Sequence, residues 1–201
     1  MSDENLFKVI LLGEIMVGKT NLINILTGGK FNENETATSA MKELIVKGNK
    51  YTIQLWDTIG QEKLRNLTKL FYNNSKIVIF VYDITRKETF EEIKNYWVKD
   101  VEEKLGKNII KGIVANKIDL FLNEQVTQEE GEEYAESIDA LFITTSAKTE
   151  GPAKFEDFLI KLYEEYLDKY ETNSSERKNS KKNKNIVLNK NTGNNQRKKC
   201  C

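Results

Sequence analysis

Eight residues, Gly13-Glu14-Ile15-Met16-Val17-Gly18-Lys19-Thr20, constrain this chain more than any other segment, because they fit G-x-x-x-x-G-K-[ST] and stand between two different hydrophobic periods. Before them, Phe7 to Leu12 is an apolar and β-branched run that reads as a buried strand. After them, Leu22, Ile23, Ile25 and Leu26 form a helical face that closes at Gly28 and Gly29. Strand, glycine-bearing loop and helix in that order make a cradle for a polyphosphate. The loop amides and the helix N-terminus face the anion, Lys19 bridges its outer phosphates, and the Thr20 hydroxyl is placed for a divalent cation. Alone, the motif names no base.

The rest of the chain alternates in the same way. Met41 to Val46 and Tyr51 to Trp56, separated by Lys-Gly-Asn-Lys, predict two strands joined by a short hairpin. Lys76 to Tyr82, Ile109 to Ala115 and Leu141 to Thr145 predict three more strands. Amphipathic stretches at Lys87 to Leu105, Gln128 to Ser137 and Lys154 to Tyr170 predict helices. Thr85 with Glu88, and Thr127 with Glu130, have the spacing of capping boxes. The expected fold is α/β, a doubly wound, mostly parallel six-stranded sheet with flanking helices, whose ligands sit at the carboxyl ends of the strands.

Charge divides the chain in two. From Glu171 onward there are nine Lys/Arg against two Glu, which leaves 22 basic and 29 acidic residues before it. That last stretch is rich in Asn, Lys and Ser, with Ile186-Val187-Leu188 its one apolar cluster. It cannot bury enough surface to offset ordering entropy and is expected to be disordered. The domain is therefore placed at 1–170 and a basic tail at 171–201. The two cysteines, Cys200 and Cys201, are the last residues, so no disulfide framework is available to the domain. No apolar run approaches the roughly 18 residues that span a bilayer, and Met1 to Leu6 is polar and acidic, unlike a signal peptide, so a cytosolic protein is expected.

Asn116-Lys117-Ile118-Asp119 follows an apolar strand directly, and Ser146-Ala147-Lys148 follows the next. A carboxylate at Asp119 can accept from the two donors on one edge of guanine, which adenine lacks. With these motifs in place, and with Gln54-Leu55-Trp56-Asp57-Thr58, Gln61-Glu62, Val81-Tyr82-Asp83-Ile84-Thr85 and Lys199-Cys200-Cys201, the chain resembles a Rab-type small GTPase of the Ras superfamily. The resemblance covers residues 7 to 170 and the terminal cysteines, and implies the P-loop small G domain.

What the resemblance implies can be placed residue by residue. Gly13, Ile15, Met16, Val17, Gly18, Lys19, Thr20 and Asn21 would hold the phosphates of GTP or GDP. Asn116, Lys117, Asp119, Ser146, Ala147 and Lys148 would hold the base, and Phe31 would lie against its edge. Thr20, Thr38 and Asp57 would hold Mg²⁺, with Asp57 acting through water. The Gly60 amide would sense the γ-phosphate, and Gln61 would orient the attacking water, as the glutamine of Ras does. Family spacing counted from Gly13 lands on Thr38, but counted back from Trp56 it lands on Asn34. The shortening is placed in the hairpin after Thr38, with Thr36 the alternative. Cys200 and Cys201 resemble a double geranylgeranylation site, and Ile186-Val187-Leu188 the element with which Rab tails engage the prenylation machinery. Expected partners are an exchange factor, a GTPase-activating protein, effectors, a prenylation escort and a GDP-dissociation inhibitor. The expected state is a monomer on the cytoplasmic face of intracellular membranes, cycling with the cytosol and regulating trafficking.

Departures from the family are as informative. Ile15 and Met16 stand where relatives carry Gly or Ser followed by Gly, beside the position an activating protein's arginine must reach. Ile59 replaces the usual alanine, and Ser39-Ala40-Met41-Lys42-Glu43 replaces the apolar-glycine stretch read by Rab effectors. Slow hydrolysis is expected, and the alternative is a GTP-binding module with negligible turnover. A P-loop ATPase or kinase is disfavoured by the guanine motif. Nucleic-acid binding by the tail is disfavoured by its lack of interleaved aromatics.

Overall fold

The computed structural model describes residues 6–29, 39–57 and 72–170. The chain through Glu164 is one compact unit, and Glu165 onward a second, of which 165–170 are described and helical. The assignment of 171–201 to a tail lies outside the described residues.

The first unit is built on a six-stranded sheet. β1 (Leu6–Leu12) leads through the glycine loop to α1 (Lys19–Leu26). β2 (Ser39–Val46) and β3 (Asn49–Asp57) form the hairpin, and β4 (Ser75–Asp83) follows. A helical crossover then runs as α2 (Lys87–Glu92), a π-helical turn at Ile93–Trp97, and α3 (Val98–Leu105). β5 (Ile110–Asn116), a 3₁₀ turn (Ile118–Asn123), α4 (Gln128–Ser137), β6 (Ala140–Thr145) and the helical residues from 153 complete the unit. The strand order is β2-β3-β1-β4-β5-β6, and only the β2–β3 pair is antiparallel, which is the mostly parallel sheet with one hairpin that the sequence pattern predicts.

This order follows from which strands are apolar throughout. Val9 to Leu12 of β1 and Ile77 to Tyr82 of β4 are buried without interruption, as strands covered on both faces must be. Residues alternate between two cores. Ile10, Leu12, Val78, Phe80 and Tyr82 pack with Phe90, Ile93, Trp97 and Val101 of the crossover. On the opposite face Gly112 of β5 leaves the space that Phe158 and Leu162 fill, and Phe7 and Tyr51 stack on Tyr163. Truncating a ring as buried as Phe158 (2% exposed) to alanine is expected to cost about 3–5 kcal/mol, read by urea denaturation.

Two local expectations are refined. The hairpin connection is two residues, Lys47 and Gly48, both at positive φ (49° and 78°), because Asn49 and Lys50 already pair with Val46 and Ile45. The Thr127–Glu130 capping box is present in full, but the Thr85–Glu88 box is not. The Thr85 hydroxyl and amide both donate to the Asp83 carboxylate (2.7 and 2.9 Å), and α2 opens after Arg86 with no side-chain cap. An acceptor two residues upstream outcompeted the helix end. Among the described residues no helix is long and apolar enough to cross a membrane.

Candidate functional site

The carboxyl ends of β1, β3, β4, β5 and β6 bring Gly13, Asp57, Asp83, Asn116 and Ser146 to one edge of the sheet. Gly13 leaves β1 at φ 139° so close to β4 that a β-carbon there would overlap the Val81 carbonyl. The loop then turns into α1 at Gly18, so the amides of the first helical turn, which have no intrahelical acceptor, open at the loop's mouth. Lys19 is 5% exposed and folds back to donate to the carbonyls of Gly13 (2.9 Å) and Glu14 (2.8 Å). Its ammonium is thereby fixed beside the loop, where an anion can share it.

Within the loop, Val17 is fully buried whereas the Ile15 and Met16 side chains are 40% and 79% exposed. Met16 has φ 61°, which costs a non-glycine residue on the order of 1 kcal/mol. Three side chains from elsewhere fasten this stretch. Trp97 donates to the Glu14 carboxylate (3.3 Å), Arg86 to the Ile15 carbonyl (2.8 Å), and Asn116 to the Val17 carbonyl (2.7 Å).

The Thr20 hydroxyl donates to the carboxylate of Asp57, at the buried end of β3. A hydroxyl and a carboxylate converging beside the phosphate loop are hard oxygen donors that fit Mg²⁺. The other residues assigned to this half of the site, Thr38, Gly60 and Gln61, lie outside the described residues, as does Phe31, assigned to the edge of the base.

The residues assigned to the base in the sequence come from two loops that meet. Asn116 is 1% exposed, and while its amide nitrogen holds Val17, its oxygen accepts from the Ala147 amide (3.2 Å). The Ser146 hydroxyl donates to Asp119 Oδ1 (2.6 Å) and accepts from the amides of Lys148 and Thr149 (3.2 and 3.1 Å). Asp119 is thus oriented by Ser146, and the loop carrying Asn116 and Asp119 adjoins the loop carrying Ser146, Ala147 and Lys148.

Lys117 takes the left-handed conformation (φ 69°) and its ammonium reaches Asp83 Oδ2 at 2.7 Å. Burial pushes the Asp83 carboxyl up, but the Lys117 ammonium and the Thr85 donors outweigh it and hold the group below the usual carboxylate range. Arg86 Nε reaches the same oxygen at 3.3 Å. Asp83, Arg86, Glu14 and Trp97 have no assigned role in the sequence reading. A buried aspartate at a strand end was the available signal for Asp83; Arg86 offered none.

The Ras family model matches residues 8–167. Ras-related protein Rab-21 of Homo sapiens is 42% identical over 146 residues, which cover 71% of this chain and 64% of that protein. For Rab-21 of Canis lupus familiaris the identity is the same and the coverage 71% and 65%. Ras-related protein Rab-30 of Homo sapiens is 37% identical over 147 residues, covering 71% and 72%. The match thus spans just under two thirds of the length of the Rab-21 proteins.

Proposed function

The chain belongs to the Ras family, as a small GTPase of the Rab type, and on that premise we propose that it is a guanine-nucleotide switch that binds GTP or GDP with Mg²⁺, hydrolyses GTP slowly and regulates membrane trafficking. The observation that carries this reading is the Asn116 side chain, which ties the phosphate loop at Val17 to the base loop at Ala147. Nothing in a bare anion site requires that tie, whereas a ligand with phosphates at one end and a base at the other does.

Each residue then has a task. Lys19 and the α1 amides hold the phosphates, Asp119 pairs with the base, and Thr20 and Asp57 hold Mg²⁺, with Thr38 as the further ligand. When bound, Mg²⁺ supplies charge neutralisation at the phosphate oxygens. Gln61 places the attacking water and Gly60 senses the γ-phosphate. Phe31 covers the edge of the base. The two-residue turn at Lys47-Gly48 supports placing the family's missing residues in the hairpin, and so supports Thr38 over Thr36. The domain occupies 1–170, and 171–201 serves as a tether that ends in geranylgeranylated Cys200 and Cys201. Its site of action is the cytoplasmic face of an internal membrane. Exchange factor, activating protein, effectors, escort and GDP-dissociation inhibitor act on it as a monomer.

Displacement of fluorescent GDP tests the central claim. GTP is expected to compete stoichiometrically, while ATP fails at about 10³-fold excess, since a site built to hydrogen-bond a base rejects one that lacks the donors. Equal competition by ATP would overturn the reading. For the anchor, the parent chain is expected to pellet with membranes and a Cys200→Ser/Cys201→Ser form to remain soluble, because one lipid chain holds only marginally and none not at all. A double-serine protein that still pellets removes the anchor.

A second reading has its own observation. Ile15 and Met16 expose their bulk at the rim of the phosphate loop, where an activating protein's arginine must enter. The nucleotide would then be bound and turned over negligibly. Single-turnover hydrolysis separates the two, and Ile15→Ser with Met16→Gly is expected to open the site to an activating protein.

A further inference from the structure

Met16 stands in the left-handed region (φ 61°) with a side chain too exposed for packing to hold it there. A strained backbone persists only where its surroundings over-determine it. Here the two carbonyls that bracket the residue are each held from another element: that of Ile15 by Arg86 (2.8 Å) and that of Val17 by Asn116 (2.7 Å). Arg86 is fixed in turn. Its Nε lies 3.3 Å from Asp83 Oδ2, and the Asp83 side chain, 2% exposed, is locked by Lys117 and Thr85.

We infer that Arg86 is a positioning residue for nucleotide retention: with Asp83 behind it, it clasps the Ile15 carbonyl and holds the phosphate loop in a shape that a glycine at position 16 would adopt unaided. The inference rests on the guanine-nucleotide reading above and deepens it. Arg86 acts through the backbone it holds. Its planar guanidinium can meet a carboxylate and a carbonyl at once, whereas an ammonium presents a point charge. Because the bond to Ile15 is made by a charged donor, its loss leaves the Met16 turn free to relax and the loop amides to drift from the phosphates.

The test is the release of fluorescent GDP from the full-length protein with Mg²⁺ present, chased by unlabelled GDP. Arg86→Ala is expected to release at least about tenfold faster than the parent. Arg86→Met keeps the aliphatic stem without the donor and should match it, so the test survives an alanine variant that folds poorly. Met16→Gly removes the strain, and adding Arg86→Met to it should change its release rate by about twofold or less. A purely structural role for Arg86 would accelerate release equally in both backgrounds, and that result overturns the clasp. So does release from Arg86→Met at the parental rate. A parent that binds no guanine nucleotide defeats the functional reading itself, whereas a parent that binds it while Arg86→Met changes nothing defeats only the clasp.

Discussion

Replacing Asp119 by Asn is expected to weaken GTP binding by about 3 kcal/mol, near two orders of magnitude. Ser146 holds Oδ1 of that carboxylate, and no protein donor among the described residues reaches Oδ2, which leaves the group ready to accept from the base. An amide in its place offers a donor where guanine also has one, so the pairing is both lost and opposed. Xanthine carries a carbonyl in place of the exocyclic amine, and the amide can donate to it. Competition of GTP and XTP against fluorescent GDP reads the change. The variant should lose GTP and gain XTP, and unaltered GTP affinity would show that the base is recognised elsewhere.

The largest expected effect on stability comes from Gly13→Ala. A β-carbon at φ 139° would overlap the Val81 carbonyl oxygen, and both partners are backbone, Val81 inside β4 and Gly13 directly after β1, so neither can turn aside. A loss of about 4 kcal/mol or more is expected, a large share of the 5–15 kcal/mol that holds an ordinary domain together. For a domain of this size that lowers Tm by roughly 10 °C or more. Gly28 is the control. It also has positive φ (87°), but a β-carbon there meets nothing within 4 Å, so Gly28→Ala should cost only the strain, about 1–2 kcal/mol. Urea denaturation of both variants separates clash from strain, and equal losses would place the whole effect in the backbone conformation.

The sheet was legible because its strands announce themselves locally. Ile77 to Tyr82 is buried on both faces and therefore apolar without a break, and Ile110 to Ala115 is apolar but for Lys111, which is buried against Glu102. The glycine loop and the Asn116 and Ser146 stretches were legible for a different reason: ligand chemistry dictates residue type at fixed spacing, so the site is written in short words. What holds those words in place was not. Arg86 lies 71 residues from the carbonyl it binds and Trp97 lies 83 from the carboxylate it binds, and no period in the sequence connects positions so far apart. Thr85 shows the converse limit. Its spacing to Glu88 satisfies a capping rule, yet Asp83 two residues upstream offers the better acceptor, and only the folded backbone decides between them. The π-helical turn at Ile93–Trp97 was equally silent, since the apolar positions along Lys87 to Leu105 read as one helix.

The Asn116 amide sets a limit on how this site can be redesigned. Its nitrogen is committed to Val17 and its oxygen to Ala147, at 1% exposure, so the group can neither flip nor be exchanged for aspartate without setting two acceptors face to face. The glycine loop and the Ser146 loop, proposed to hold the phosphates and the base, are therefore not separable modules. Transplanting a foreign base loop into this scaffold, or lengthening the phosphate loop, displaces the shared amide and disturbs the other half. On the proposed function, new nucleotide preference would have to come from side chains assigned to the base alone, such as Asp119, with the backbone of both loops left as it stands.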